Sequence, residues 1–446
     1  VAGYHVENFG CRASRADGEG ITAGLEALGL TAAESLSAAD VVILNTCSVT
    51  AEADKDARAF VRKAKRANPE ARVLVTGCYA QRAPEEVNAL AGVDRVVGNS
   101  HKALVAGIAA SLIRPAAHVV PLSSLAPLVD DAFAHSEIAF AGHHAHGQTR
   151  PNLKVQDGCG NRCSFCVIPQ TRGGSRSVPP TRVIEQARRF VDEGGQELVL
   201  SGINLGRWGR DLELKLRIED LVETLLRETD LPRLRISSVE PMDWSDRLLD
   251  LFGAYGGESP RLARHVHLPL QSGSDAILRA MYRRYRPWHY AARVQSIRRA
   301  LPDAAIGADV MIGFPGETDA LFEETYRFIQ QQPFTYLHLF PFSARPGTPA
   351  WALHQEKPVP GEAVKERMAR LRALIAEKHR RFCASFVGRA LSVVSLQTAE
   401  DDRADGLTRS LSDNFLTVEL QSALPANRML QVEIIGQTDS GLLARL

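Results

Sequence analysis

Apolar residues fall along the chain in changing rhythms. Residues 40–47 (DVVILNTC) and 71–78 (ARVLVTGC) are unbroken apolar runs, the pattern of strands buried on both faces of a parallel sheet. Residues 4–11 (YHVENFGC) make a weaker third run. Between them, 17–28 and 51–67 have helical character and few breakers. The order predicts an open parallel α/β sheet with right-handed crossovers over 1–105. The pattern breaks over 106–149, which is rich in Ala, Pro, Ser and His and reads as a linker. Its His143, His144 and His146 are irregularly spaced and make weak metal candidates.

From 150 to 380 the alternation returns with six strand candidates: LKVQDG, ELVLSGI, RLRISSV, HVHLPLQ, AIGADVMIGF and TYLHLFPF. The stretches between them are long enough for helices. This predicts a (β/α)6-type barrel, with functional groups on loops at the strands' C-terminal ends. Over 381–446 short strands alternate with polar turns (LSVVSLQ, FLTVEL, MLQVEIIGQ, LLARL), which predicts a small all-β barrel.

Composition narrows the class. At 446 residues, 45% apolar and 24% charged, the chain reads as a multidomain globular protein. It has no apolar run of membrane-spanning length and no signal-peptide layout, so no membrane partner is expected. Seven cysteines are an odd count for a disulfide framework. A reducing compartment, the cytoplasm, is expected, and there clustered thiols serve as ligands or catalysts. Net charge is +1 overall, but residues 150–380 carry +6 while 1–149 carry −3 and 381–446 carry −2. A polyanion would be drawn to the middle of the chain.

Three cysteines, Cys159, Cys163 and Cys166, crowd into GCGNRCSFC, on the loop after the first barrel strand. A structural zinc site takes four ligands in paired knuckles, and no fourth partner is near in sequence. Three thiolates on a four-iron cluster leave one iron open to a small molecule. The C-x3-C-x-Φ-C spacing, with Phe165 as the aromatic, resembles the signature of radical S-adenosylmethionine enzymes. That resemblance implies a [4Fe–4S] cluster whose open iron chelates S-adenosylmethionine and a 5′-deoxyadenosyl radical generated in a shielded pocket.

Cys11, Cys47 and Cys78 are far apart in sequence, yet each ends a predicted strand. If those strands are sheet neighbours, the thiols converge at the crevice where open α/β sheets bind ligands. The two trios together resemble the methylthiotransferases of the radical S-adenosylmethionine superfamily across essentially the whole chain. The resemblance implies an auxiliary [4Fe–4S] cluster on Cys11, Cys47 and Cys78, a radical core domain, and a C-terminal TRAM-like domain that recognises substrate. Cys383 matches neither trio and reads as a packed or surface thiol. The stretches PQTRGGSRS (169–177), HLPLQSGS (267–274), VMIGFPGET (310–318) and FPFSARPGTPA (340–350) also resemble family motifs. Gln170 stands in the first where an aromatic is common. For S-adenosylmethionine they nominate Gly313 and Gly316, which allow close backbone approach, and Gln271; Glu240, past its own strand, joins them. No residue is nominated as acid or base.

NTCSVTAEADKDAR (45–58) and VTGCYAQRAPEEV (75–87) most resemble the branch acting on N6-threonylcarbamoyladenosine beside the tRNA anticodon, at position 37. In RAMYRRYRPWHY (279–290), Arg279, Arg283, Arg284 and Arg286 interleave with aromatics, a pattern suited to phosphates and splayed bases and equally to a solvated helix face. The resemblance implies a flavodoxin- or ferredoxin-type electron donor and leaves the sulfur donor open. The acidic C-terminal module would suit a basic ribosomal protein, so aspartate methylthiotransfer is one alternative and isopentenyladenosine in tRNA another. A non-catalytic RNA-binding scaffold with structural metal would need a fourth protein ligand for each trio.

Overall fold

The run VVILNT has no polar face to offer solvent, and in a computed structural model of the chain all six of its residues are buried. The structure describes residues 2–113, 126–137, 149–257, 259–398, 406–439 and 441–446. His143, His144 and His146 lie outside them. The chain forms two compact units: Val1–Ala145 with Lys154–Arg176 and Ser343–Thr348, and His146–Leu153 with Ser177–Phe342 and Pro349–Leu446.

The first unit holds β1 (Gly3–Asn8), α1 (Arg12–Ala27), β2 (Thr31–Ala32), β3 (Val41–Thr46), α2 (Ala51–Ala67), β4 (Arg72–Gly77), α3 (Cys78–Arg82), α4 (Pro84–Asn88), β5 (Arg95–Gly98) and α5 (Val105–Ile113). Its sheet runs β2-β1-β3-β4-β5, all parallel. The three strands read from sequence are therefore neighbours, with Asn8 beside Asn45 and Thr46 beside Gly77 in register. Two apolar layers cover the faces: Phe60, Val61 and Ala64 of α2 on one, Ile21 and Leu25 of α1 with Val105, Ala109 and Leu112 of α5 on the other. Part of the expected linker is thus structured. VAGIAASLI is apolar enough to pack as a helix, and Leu128 bridges in parallel to Val97 at the sheet edge.

β6 (Asn152–Asp157) crosses the boundary between the units, and α6 (Ile168–Arg172) belongs to the first. After β7 (Arg176–Ser177), the second unit continues with α7 (Pro180–Asp192), β8 (Glu197–Gly202), α8 (Ile218–Glu228), β9 (Arg233–Ile236), α9 (Asp246–Ala254), β10 (His265–His267), α10 (Asp275–Ala280), α11 (Pro287–Ala300), β11 (Ala305–Ile312), α12 (Asp319–Gln331), β12 (Tyr336–Pro341), α13 (Pro349–Glu356) and α14 (Gly361–Ala384). β8 pairs with β9, and β10, β11 and β12 pair in turn, all parallel. A bridge from Ser238 to His267 joins the two sets. All six expected barrel strands are present.

β13 (Ala390–Ser395), β14 (Thr408–Ser412), β15 (Thr417–Leu420), β16 (Met429–Gln437) and β17 (Leu442–Arg445) close into a barrel in the order β13-β14-β15-β17-β16. Leu391, Val393, Val418, Leu420, Val432 and Ile434 fill it, and buried Cys383 packs in the same cluster. The fold is α/β with parallel sheets and a closed C-terminal β-barrel. The turn Asp413–Phe415 fastens this barrel to the parallel strands. Arg235 donates to the Ser412 and Asp413 carbonyls at 3.0 and 3.1 Å, Arg264 grips the Asp413 carboxylate with two nitrogens, and Phe415 stacks on His265 at 4.1 Å.

Candidate functional site

Parallel register brings the ends of β1, β3 and β4 together, and the next residues carry the thiols. Cys11 caps the start of α1, Cys47 follows β3 and Cys78 opens α3. Cys47 and Cys78 are buried; Cys11 is exposed. A Cβ on Gly10 would fall 2.9 Å from the Cys47 sulfur, so the Cys11 turn lies directly against Cys47. Gly77 takes φ +95°, and a Cβ there would meet the Thr46 carbonyl at 2.3 Å, so only glycine lets the chain turn into Cys78. Burial, and then the neighbouring Cys78 and Cys11, push the Cys47 thiol up to about 12. Three neighbouring thiols suit a cation that would hold all three as thiolates.

The second trio sits on a loop that closes on itself. Gly158 has φ +71°, a Cβ there would reach 1.9 Å from the Gly174 carbonyl, and the Cys159 amide donates to Gly173 at 3.0 Å. Cys159, Cys163 and Cys166 are half-buried. Amides point at thiols in both trios: Asn161 to Cys159 at 3.4 Å, Ile168 to Cys166 at 3.5 Å and Val49 to Cys47 at 3.5 Å. Such N–H···S bonds tune iron–sulfur clusters.

Side chains join the two loops. Asn99 donates to the Cys78 sulfur at 3.4 Å and to the Thr171 carbonyl at 2.8 Å. Arg172, at the end of α6, reaches Ser14 at 3.3 Å, and Ser14 contacts the Cys11 sulfur at 3.7 Å. Arg172 also pairs with Asp17 at 2.9 Å and Asp157 at 3.0 Å. Lys154 bridges Asp157, at 2.7 Å, and Asp17, and Lys102 pairs with Asp17. All five side chains are at least nine-tenths buried. Burial alone would raise both carboxyls, but the cations outweigh it and hold them below the usual range. Lys102 is pushed down to about 8 by burial, against the pull of Asp17, with Arg172 and Lys154 adding repulsion. Among the described residues three buried cations, with half-buried Arg176 3.9 Å from Asp157, face two carboxylates, so the network keeps a surplus of positive charge beside Cys11 and Cys78. The Arg172 Nε is buried with no partner among the described residues. Thiolate donors, a surplus cation and an unused N–H donor fit a negatively charged thiolate-bound cluster.

In the second unit, Gln271 follows β10 with φ +65°, is 8% exposed, and keeps a buried Oε1 without a partner among the described residues. Ser201 at the end of β8 and Ser274 also carry buried hydroxyls without a partner among the described residues. These atoms fit a polar ligand at the strands' C-terminal ends. Glu240 accepts from Arg283 at 2.5 Å. Gly313 serves packing: a Cβ would meet Val364 at 2.5 Å, and its amide donates to Glu317 at 3.1 Å. Gly316 donates to the Lys357 carbonyl at 2.9 Å. Phe165 is half-buried on its loop.

The arginine–aromatic segment divides by burial. Arg283, Tyr285 and Tyr290 are buried, while Arg279, Tyr282, Arg284 and Trp288 are exposed. Arg279 pairs with Asp275 at 2.8 Å, and Arg286 lies 3.3 Å from the same carboxylate. Sequence reading missed the buried charges around the cysteines, although LKVQD, with charges inside a buried strand, carried a signal. It also passed over His267, Asp309 and His338, which the strands align.

Residues 3–98 match Uncharacterized protein family UPF0004, and residues 153–329 match the Radical SAM superfamily. A threonylcarbamoyladenosine tRNA methylthiotransferase of Bacillus subtilis is 34% identical over 94% of this chain and 90% of its own. A tRNA-2-methylthio-N(6)-dimethylallyladenosine synthase of Erythrobacter litoralis is 31% identical over 99% and 97%. Among solved structures, the radical S-adenosylmethionine methyltransferase TsrM from Kitasatospora setae shares the fold, with TM-score 0.58, 13% identity, and 78% and 74% coverage. The chain belongs to the radical S-adenosylmethionine methylthiotransferase family, on the branch of the threonylcarbamoyladenosine tRNA methylthiotransferases.

Proposed function

We propose that the chain converts N6-threonylcarbamoyladenosine at position 37, beside the tRNA anticodon, to its 2-methylthio derivative. Whole-length identity to relatives of that activity supports the reading. The observation that carries it is the convergence of two thiol trios in one compact unit, joined by Asn99 and Arg172. In this reading Cys159, Cys163 and Cys166 would hold the radical S-adenosylmethionine cluster, and Cys11, Cys47 and Cys78 would hold the auxiliary cluster. Bound there, S-adenosylmethionine would supply the radical chemistry needed at C2 of the adenine. The chain's own part is placement: the closed 158–174 loop fixes one cluster, the ends of β1, β3 and β4 the other. Exposed Arg279 and Arg284 meet the anticodon stem-loop phosphates, and a flavodoxin- or ferredoxin-type protein delivers the electron.

Anaerobic cluster reconstitution, followed by S-adenosylmethionine, dithionite, inorganic sulfide as sulfur source and tRNA bearing the threonylcarbamoyl group, should give 5′-deoxyadenosine and the methylthio nucleoside. Absence of 5′-deoxyadenosine would defeat the reading. Dimethylallyladenosine synthases reach 36% identity over 87% of this chain, so isopentenyladenosine tRNA is the second substrate to assay. Product from that tRNA alone would move the chain to the other branch.

A further inference from the structure

The three last strands of the parallel set place His267, Asp309 and His338 on one face. Asp309 is in register with His338 across β11 and β12, and His267 is in register with Gly307, two residues before Asp309. The His267 Nε2 lies 3.1 Å from the Asp309 Oδ1, and the His338 Nδ1 lies 3.2 Å from the same oxygen. All three ligand atoms fall within 4.8 Å of one another.

We infer that His267, Asp309 and His338 form a binding site for one divalent transition-metal ion of the zinc class, separate from both thiol trios. A zinc-class ion bound tetrahedrally at about 2.1 Å holds its ligand atoms about 3.4 Å from each other. The observed nitrogen–oxygen separations of 3.1 and 3.2 Å lie within about 0.3 Å of that edge. Two imidazoles and one carboxylate are an established donor set for zinc, with the fourth position left to an exogenous ligand. His338, 55% exposed, sits on the open side, whereas His267 is 7% exposed.

The surroundings are also those of a ligand set. A metal-bound histidine is oriented by a partner on its other nitrogen. Here the Tyr336 hydroxyl lies 2.9 Å from the His267 Nδ1 and 2.6 Å from the His265 Nε2. Tyr336 reaches that position because residue 307 is glycine: a Cβ there would fall 1.9 Å from the tyrosine ring. Phe415 stacks on His265 and packs against Tyr336, holding the pair from below. Bound in this way, the ion would present its open position to an oxygen ligand such as a carboxylate.

The probe is Zn²⁺ itself, added to anaerobically reconstituted enzyme with both thiol trios loaded, so that cysteines do not compete. Equilibrium dialysis should find one zinc per chain bound by the wild type and none at the same concentration by Asp309→Asn or His338→Gln. His338 is exposed, so its substitution leaves the fold intact. Tyr336→Phe should keep the site and weaken it about 10–100-fold. Zinc-edge X-ray absorption should show nitrogen and oxygen neighbours only. Equal zinc uptake by wild type and both ligand variants, or sulfur in the zinc shell, would overturn the site. The result is independent of whether the chain transfers methylthio groups, because the readout is metal stoichiometry.

Discussion

Asp17 is the hub of the buried ion network, and its substitution by asparagine separates charge from shape. The carboxylate serves Lys102, Lys154 and Arg172 and is 3% exposed. Asp17→Asn leaves three buried cations with the single carboxylate of Asp157. Removing one partner of a buried ion pair costs about 3–5 kcal/mol, because the surviving charge stays desolvated. Against a typical stability of about 5–15 kcal/mol, that is a large fraction. Native-state hydrogen exchange, read by mass spectrometry on peptides covering Val41–Thr46, measures it in the first unit; peptides covering Ala305–Ile312 report on the second. The first set should exchange faster by roughly two to three and a half orders of magnitude, the second by less than about threefold. Adding Lys102→Met to Asp17→Asn removes a surplus cation and should recover at least half of the loss. A cost below about 1 kcal/mol, or no recovery in the double variant, would show that the network is solvated and the charge count wrong.

Three further outcomes follow from the same geometry. Cys47→Ala should lower iron from about eight to about four per chain while reductive cleavage of S-adenosylmethionine persists, since the other trio is untouched; loss of that cleavage along with all the iron would refute separate sites. Gly77→Ala places a methyl group 2.3 Å from the Thr46 carbonyl at φ +95°. It should cost about 1–3 kcal/mol and reduce iron at the auxiliary trio, checked by thermal unfolding and iron analysis. Asp17 and Asp157 have folded-state pKa values below the ordinary 3.8. Their stabilisation is present above 3.8 and is lost as pH falls through the lower folded values. Urea midpoints of the first unit should therefore drop below about pH 4 in the wild type, and with a shallower slope in Asp17→Asn.

The sequence carried the strands in its apolar runs, and the sheet order made three remote cysteines neighbours. It was silent where the signal is spread over distant residues. Strand β14 reads TRSLS and has no apolar run; its polar side chains are buried by pairing on both edges. Helix α5 hid in an alanine-rich stretch that looked like linker, because small residues pack against α1 without large side chains. Arg283 read as surface and is buried against Glu240 and Tyr285, since a lone arginine pattern does not reveal which face turns inward. Asp17, Lys102 and Lys154 belong to three separate elements, and nothing local marks them as partners.

Arg172 ties the ion network to the thiols, and its charge has an electrochemical consequence. Cys78, Asp17 and Cys11 all interact electrostatically with its guanidinium, so a thiolate-bound cluster on that trio would sit in its field. A positive charge favours the reduced, more negative state of the cluster. At a separation of about 6 Å and an effective dielectric of about 20, one unit charge contributes about 3 kcal/mol. For a one-electron couple that is about 120 mV. Arg172→Gln should therefore shift the auxiliary cluster's potential downward by about that amount, measured by EPR-monitored titration. Arg172→Lys keeps the charge and should move it by a small fraction of that. Stability will fall in both, because both break the fork to Asp157 and Asp17, so unfolding data alone cannot separate charge from packing. The potential can. If glutamine and lysine shift it equally, the guanidinium acts through packing, and the surplus positive charge does not reach the thiols.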